Sequence, residues 1–247
     1  MTISNSSSAS SFHGLGIAPG LLEVLAQNRF SVPTPIQQRS IPAAIEGKDL
    51  IGIAQTGTGK TLAFGIPMLQ RLAAEGGSGL VILPTRELAL QVEETLLKIG
   101  RSSGIRTAVL IGGAAMGPQR AALARKPQVI VATPGRLLDH LEQRTVRLDG
   151  VCVLVLDEAD RMLDMGFAPQ INRILSVLPP PAKRQTMLFS ATMPSEIVKI
   201  AAAHMSLPIR VEVAPAGTAA DHVTQELFIV KKEDKIRLLD RLLGEYR

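Results

Sequence analysis

Cysteine is nearly absent from this sequence, and histidine is sparse. Cys152 is the single cysteine among 247 residues, which excludes an internal disulfide framework and a cysteine-based zinc site. It lies within the apolar run VCVLVL, and we interpret it as a small buried hydrophobic residue. The four histidines lie far apart without metal-ligand spacing, so we predict no chemistry for them.

Aromatic residues are scarce too, since the chain contains no tryptophan, one tyrosine and six phenylalanines. This composition argues against a surface that stacks successive bases on aromatic platforms. Lysine and arginine number 27 against 22 acidic residues, and the resulting formal charge of +5 suits a polyanionic partner. If that partner is a nucleic acid, we expect the contacts to be with its backbone.

Long apolar runs are missing as well, so we expect no membrane-spanning segment. The first eleven residues, MTISNSSSASS, have neither the basic start nor the apolar stretch of a signal peptide. We interpret residues 1–11 as a disordered serine-rich lead, and we expect a cytoplasmic protein.

Short apolar runs alternate with longer amphipathic stretches between residues 50 and 213. Continuous apolar strands that alternate with helices indicate a parallel sheet covered on both faces. The sequence therefore predicts an α/β domain with a doubly wound, mostly parallel sheet. The predicted strands cover residues 50–54, 79–84, 107–113, 128–133, 151–157, 185–192 and 209–213. The predicted helices cover residues 19–28, 36–45, 60–74, 86–99, 118–125, 134–143, 169–178 and 194–204.

A stretch rich in small residues, glycine and proline follows the last predicted strand of this domain. We predict a linker over residues 214–224, then a strand in TQELFIV and a helix in KKEDKIRLLDRLL. A strand and a helix cannot form a core alone, so residues 225–247 are interpreted as the truncated start of a second domain.

The segment AQTGTGKT has the spacing of the phosphate-binding loop G-x-x-x-x-G-K-T, and it lies between a predicted strand and a predicted helix. Its glycines allow backbone N–H groups to point at phosphates. Lys60 supplies a cation to the β and γ phosphates, and Thr61 offers a hydroxyl to Mg²⁺. The predicted phosphate-binding residues are Ala54, Gln55, Thr56, Gly57, Thr58, Gly59, Lys60 and Thr61.

An acidic string, DEAD, ends the predicted strand at residues 151–157. Asp157 is the candidate second ligand of Mg²⁺, and Glu158 is the candidate group that orients and deprotonates the attacking water. The alternative is a charged strand end that caps a helix. Lys60 favours the catalytic interpretation, because two acids without a cation would repel one another.

These motifs resemble those of the DEAD-box RNA helicases, and they occur in that family's order. Asp157 to Asp160 resembles the DEAD signature, and AQTGTGKT resembles motif I. Further matches are PTRELA over 84–89 (motif Ia), the doublet Gly112-Gly113, TPGR over 133–136 (motif Ib), SAT over 190–192 (motif III), and PTPIQ over 33–37 with Phe12 and Phe30 (the Q motif). The resemblance implies a RecA-like P-loop domain over residues 12–213 and the start of a second RecA-like domain over 225–247.

The resemblance implies an enzyme that couples ATP hydrolysis, with Mg²⁺ as cofactor, to RNA unwinding. Gln37 can select adenine, because an amide presents one donor and one acceptor to the N6 and N7 edge of the base. Phe12 fits either stacking on adenine or, as an ordered apolar residue, packing against the helix that precedes the domain core. Phe30 is interpreted as a core residue. Arg29 stands where the family usually has glycine, which leaves the local turn open.

Motifs Ia and Ib and the glycine doublet each follow a predicted strand, so they face one edge of the sheet. Taken alone, they fit phosphate binding and ordinary turn or helix capping equally well, and the resemblance favours an RNA backbone. The predicted RNA-binding residues are Pro84, Thr85, Arg86, Gly112, Gly113, Thr133, Pro134, Gly135 and Arg136.

The hydroxyls of Ser190 and Thr192 are expected to hydrogen-bond Asp160 and to link the ATP site to the RNA face. Two other functions share some of these features. The chain can be a nucleotide-dependent RNA-binding module without activity of its own, since arginines from a second domain would be needed for efficient hydrolysis. A small-molecule kinase would share the phosphate loop but would not explain TPGR, SAT or the Q motif.

Overall fold

A seven-stranded parallel sheet organises the computed structural model, which describes residues 11–213 and 226–245. The strands are β1 (Leu50–Ile53), β2 (Ser78–Ile82), β3 (Thr107–Leu110), β4 (Val129–Ala132), β5 (Val151–Leu156), β6 (Gln185–Ser190) and β7 (Ile209–Glu212). Their order across the sheet is β3-β4-β2-β5-β6-β1-β7, and every pairing is parallel. The predicted α/β fold is therefore confirmed.

Helices cover both faces of this sheet. They are α1 (Pro19–Gln27), α2 (Pro35–Ile45), α3 (Lys60–Glu75), α4 (Arg86–Gly100), α5 (Met116–Ala124), α6 (Pro134–Glu142), α7 (Ala159–Asp164), α8 (Ala168–Ser176) and α9 (Ser195–His204). Side chains of α1 to α4 pack in one core cluster, and those of α6 to α9 pack in another. The strands supply alternate residues to the two clusters, for example Val155 to the first and Leu154 to the second.

The turn after α1 has the hydrogen bonds of a Schellman motif. The N–H of Phe30 donates to Leu25 O at 2.9 Å, and the N–H of Arg29 donates to Ala26 O at 3.0 Å. Arg29 adopts a left-handed conformation, with φ of 62°. Phe30 packs against the core, as expected. Arg29 thus adopts the left-handed conformation that usually suits glycine, and its backbone is strained as a result.

The trailing segment is a unit of its own, residues 218–247. Its described part contains the helix α10 (Lys235–Glu245), but residues 226–231 form no strand, so the predicted strand is wrong in that part. A strand needs a neighbour to satisfy its N–H and C=O groups, and these residues have none among the described strands. The predicted linker 214–224 lies outside the described residues, as does the predicted lead except for Ser11.

Within the described ranges, no helix has the length and apolar character needed to cross a membrane.

Candidate functional site

The predicted motifs meet at one edge of the sheet because parallel strands all end on the same side. The phosphate loop follows β1, and the DEAD string follows β5. Motif Ia, the glycine doublet and motif Ib follow β2, β3 and β4 in turn, whereas SAT begins at the last residue of β6. Fold topology thus brings residues that are more than a hundred positions apart into a single site.

The phosphate loop is shaped by two glycines in left-handed conformations, Gly57 and Gly59, with φ of 84° and 89°. Gly59 is the N-cap of α3, so the helix begins at Lys60 and its first N–H groups are available to an anion. The ammonium of Lys60 donates to Ala54 O at 3.1 Å and lies 3.8 Å from Asp157 Oδ1. Lys60 is only 6% exposed, so this cation acts in a region poor in water.

Asp157 lies at the end of β5 and is buried. Burial raises the pKa of its carboxyl to about 6, although the nearby Lys60 ammonium acts in the opposite direction. The N–H of Glu158 donates to Asp157 Oδ1 at 2.9 Å and fixes the carboxylate. A carboxylate of Asp157 and a hydroxyl of Thr61, in the first turn of α3, are oxygen donors of the kind that Mg²⁺ prefers, so this pair fits the ion.

Glu158 is held in an unusual conformation at the edge of a cavity of about 360 Å³. Its φ of 53° is left-handed, and a non-glycine residue keeps this geometry only where the surroundings enforce it. Thr56 Oγ1 donates to Glu158 Oε1, and Arg161 Nη1 donates to Glu158 Oε2, both at 3.0 Å. The two carboxylate oxygens are thus tied to the phosphate loop and to α7.

Gln37 is buried, and its amide joins the Q motif to the phosphate loop. Its Oε1 accepts from the N–H of Thr34, and its Nε2 donates to Gly59 O, both at 2.9 Å. A Cβ added to Gly59 would collide with Gln37 Nε2, so the close approach requires glycine there. The amide keeps one lone pair and one hydrogen, which is what an adenine edge needs.

Phe12 is 4% exposed and belongs to the first core cluster. In the structure, the Phe12 side chain therefore packs in the core, which is one of the two alternatives predicted for it. Stacking of Phe12 on adenine stays a prediction.

The three RNA motifs contact one another at the β3 and β4 side of the edge. The guanidinium of Arg86 lies over Gly113, where a Cβ would collide with it. Arg136 Nη1 donates to Ala114 O at 2.8 Å, and its Nε pairs with Asp139. Motif Ib is therefore hydrogen-bonded to the loop over residues 112–115, which we call the glycine loop, and Arg86 of motif Ia lies against the same loop.

Other members of the predicted RNA set have structural roles in this structure. Thr85 Oγ1 accepts from the N–H of Leu88 at 3.3 Å and so caps α4, as the capping alternative requires. Pro84, Thr133 and Pro134 are buried, which leaves their side chains little access to a ligand. Contact with RNA stays a prediction for all nine residues.

Asp160 forms a dense contact with motif III. Its Oδ2 accepts from Thr192 Oγ1 and from the N–H of Thr192, both at 2.9 Å, and from the N–H of Ala191 at 3.2 Å. Ser190 Oγ accepts from the N–H of Asp160 at 3.1 Å. Partial burial raises the pKa of Asp160, but the hydrogen bonds around it outweigh burial and leave the pKa below its usual value.

Comparison with known proteins identifies the family. A family model described as DEAD/DEAH box helicase matches residues 34–200. The chain belongs to the DEAD/DEAH box helicase family. It is 47% identical over 239 residues to an ATP-dependent rRNA helicase RRP3 of Debaryomyces hansenii, covering 96% of this chain and 50% of that one.

Two further family members are similar to the chain. It is 45% identical over 234 residues to a DEAD-box ATP-dependent RNA helicase CshA of Bacillus cereus, covering 94% of this chain and 44% of that one. The crystal structure of a DEAD box protein from Methanococcus jannaschii superposes with a TM-score of 0.77 at 32% identity, covering 94% of this chain and 63% of that chain. The chain spans about half the length of the curated relatives it matches.

The sequence did not reveal a buried polar network beside the glycine loop. His140 on α6 lies between Thr145 and Gln119, with its Nδ1 2.7 Å from Thr145 Oγ1 and its Nε2 3.2 Å from Gln119 Oε1. Gln119 on α5 accepts from the N–H of Ile111 at 3.2 Å and donates to Ile111 O at 3.1 Å. Burial first, and then the guanidinium groups of Arg136 and Arg120, lower the pKa of His140.

Arg161 was missed as well, although the sequence carried a signal for it. It lies three positions after Glu158, and residues three apart on a helix are neighbours. Gln91 and Thr95 on α4 also line the cavity beside the phosphate loop, but no motif marks them in the sequence.

Proposed function

We propose that this chain is the ATP-binding and RNA-binding half of an ATP-dependent RNA helicase. The observation that carries the proposal is the joint placement, at one sheet edge, of a phosphate loop, two buried acids and Gln37 against Gly59. The adjoining motifs Ia and Ib supply arginines to the same edge. Family membership supports this assignment, since the relatives named above are ATP-dependent RNA helicases.

The proposed chemistry is the transfer of the γ phosphoryl group of ATP to water. Lys60 would bind the β and γ phosphates, and Thr61 and Asp157 would hold Mg²⁺, which when bound neutralises charge on the phosphate oxygens. Glu158 would orient the attacking water and accept its proton while the bond between the γ phosphorus and the β–γ bridging oxygen breaks. Each Glu158 oxygen accepts one side-chain hydrogen bond, from Thr56 or from Arg161, so a lone pair on either oxygen can accept from the water.

RNA would bind through its phosphates along motif Ia, the glycine doublet and motif Ib. Arg86 and the backbone of Gly113 and Gly135 are the accessible groups there, since Arg136 is held by Ala114 and Asp139. Such contacts position a strand without reading its bases. The ties between Asp160, Ser190 and Thr192 would transmit changes at the ATP site to this edge.

Efficient hydrolysis and unwinding would need a second RecA-like domain. We assign residues 12–213 to the first domain, 214–224 to a linker and 225–247 to the start of the second, in a cytoplasmic protein. The half-length match to the relatives favours a second candidate function for the chain alone, a nucleotide-dependent RNA-binding module. Arginines contributed by a partner domain are worth about 10³ to 10⁵ in the rate of phosphoryl transfer.

Titration with a fluorescent ATP analogue tests the nucleotide site. We expect saturable binding that is weakened at least tenfold by Lys60→Ala and is unchanged by Lys48→Ala, a matched change of an exposed lysine. Equal binding by the Lys60→Ala variant and the native chain would contradict the proposed site.

A further inference from the structure

The positive charge of the chain is concentrated in residues 101–147. This segment contains eight lysine and arginine residues and two acids, so its formal charge is +6, whereas the other 200 residues together carry −1. A segment with this excess of cations can form a surface that attracts a polyanion.

Most of this charge is exposed and is not neutralised by neighbouring acids. The two acids of the segment are already paired, Asp139 with Arg136 and Glu142 with Arg173. Six exposed cations form no ion pair within the described part of the chain, and we call them the basic edge. They are Arg101, Arg106, Arg120, Arg125, Lys126 and Arg144.

Local contacts hold the basic edge together beside the outermost strand, β3. Arg106 Nη2 donates to Lys126 O at 3.3 Å. This bond links the start of β3 to the segment that follows α5. Arg120 on α5 donates to Gln143, which follows α6 and is the neighbour of Arg144. The cations therefore lie on adjoining elements rather than scattered over the surface.

The basic edge continues from the candidate single-strand site. Helix α5 begins three residues after Gly113, carries Arg120, and ends at Ala124 just before Arg125. Nine helical residues span about 14 Å. Helix α5 runs from the carboxyl end of β3 back towards its amino end. A nucleic acid that leaves the glycine loop can therefore follow α5 and remain beside positive charge.

We propose that the basic edge binds the phosphates of an RNA duplex that adjoins the single-stranded segment. The proposal rests on the proposed function, because it extends the same RNA site. Residues 101–147 contain no phenylalanine, tyrosine or tryptophan, so the basic edge lacks the aromatic platforms on which successive unpaired bases stack. A duplex carries phosphates on two strands, about one per 1.7 Å of axis in DNA, so it presents a denser row of negative charge than a single strand does, which suits a row of cations.

Fluorescence anisotropy with two RNAs tests this inference on the 247-residue chain. One RNA is a short single strand, and the other is the same strand extended by a hairpin duplex. We expect the native chain to bind the hairpin RNA more tightly. The triple variant Arg120→Gln, Arg125→Gln, Lys126→Gln should lose at least tenfold in affinity for the hairpin RNA at low salt and keep its affinity for the single strand. The slope of log affinity against log salt should become shallower by about 2 to 3.

A matched control removes the same charge elsewhere, with Lys48→Gln, Lys183→Gln and Lys199→Gln, all exposed. This control should bind both RNAs as the native chain does. Equal loss in the two triple variants, or equal affinity of the native chain for the two RNAs, would overturn the inference. Binding of the hairpin RNA without binding of the single strand would instead contradict the proposed single-strand site, and binding of neither would contradict both.

Discussion

At the scale of single residues, Glu158 is the group on which the proposed hydrolysis depends most, as the base that activates water. In a protein that includes the second domain, Glu158→Gln should leave ATP binding unchanged and reduce phosphate release at least about a hundredfold, because an amide accepts no proton. Thr56 can still donate to the remaining oxygen, so the loop should keep its geometry. The matched control is Asp164→Asn on α7, which should hydrolyse ATP normally. Normal hydrolysis by Glu158→Gln would show that another group is the base.

Gln37 has two separable roles, since its amide braces Gly59 and is expected to select adenine. Gln37→Ala leaves two backbone groups without their partner and should lower the free energy of unfolding by about 1 to 3 kcal/mol. It should also erode the preference for ATP over GTP. Competition binding and urea denaturation measure the two effects, with Gln38→Ala as control. If Gln37→Ala is destabilised but keeps its preference for ATP over GTP, Gln37 supports Gly59 and does not select adenine.

His140 should make stability depend on pH. Its pKa is lowered in the fold, so below about pH 6.5 the unfolded chain takes up a proton that the folded chain does not. The free energy of unfolding should therefore fall as pH drops from 7.5 to 5.5, by at most about 1.4 kcal/mol per pH unit from this group. Urea denaturation should show a weaker pH dependence for His140→Gln, but not for the exposed His13→Gln. Identical pH profiles for His140→Gln and the native chain would exclude this origin.

At the scale of elements, the end of α1 offers a simple test. Arg29→Gly removes the strain of a left-handed arginine, worth about 1 to 2 kcal/mol, and loses part of that gain to the greater freedom of glycine in the unfolded chain. We expect a net stabilisation of about 0.5 to 1 kcal/mol in thermal or urea denaturation. Arg29→Ala removes the guanidinium but keeps the strain, so it should not stabilise the protein. Equal stabilisation by both variants would place the effect in the side chain.

The sheet could be predicted from sequence because its strands are continuous apolar runs between amphipathic helices. The apolar pattern defines strand ends less well. It predicts a strand over residues 107–113, but β3 ends at Leu110 because the glycine doublet belongs to the loop. The strand expected over residues 224–230 fails in its described part because no sheet partner is present there. The apolar pattern of a sequence indicates which segments suit a strand. It does not show whether a neighbouring strand is present to form the backbone hydrogen bonds.

The sequence indicated which motifs belong to the candidate site, but not the long-range contacts that join them. The phosphate loop and DEAD string are recognisable because short spacing encodes them. By contrast, the bond from Gln37 to Gly59 and the pairing of His140 with Gln119 join separate elements, so only the fold reveals them. The same holds for Gln91 and Thr95, which reach the cavity through the position of α4.

At the scale of the whole molecule, the central claim is that the chain is one half of an ATP-driven clamp on RNA. RNA-stimulated phosphate release tests it most directly, measured with the 247-residue chain and with a protein that includes a second RecA-like domain. We predict little release by the shorter chain with or without single-stranded RNA, and strong RNA-dependent release by the longer protein. Vigorous RNA-stimulated hydrolysis by the 247-residue chain alone, or no response to RNA by the longer protein, would contradict the account.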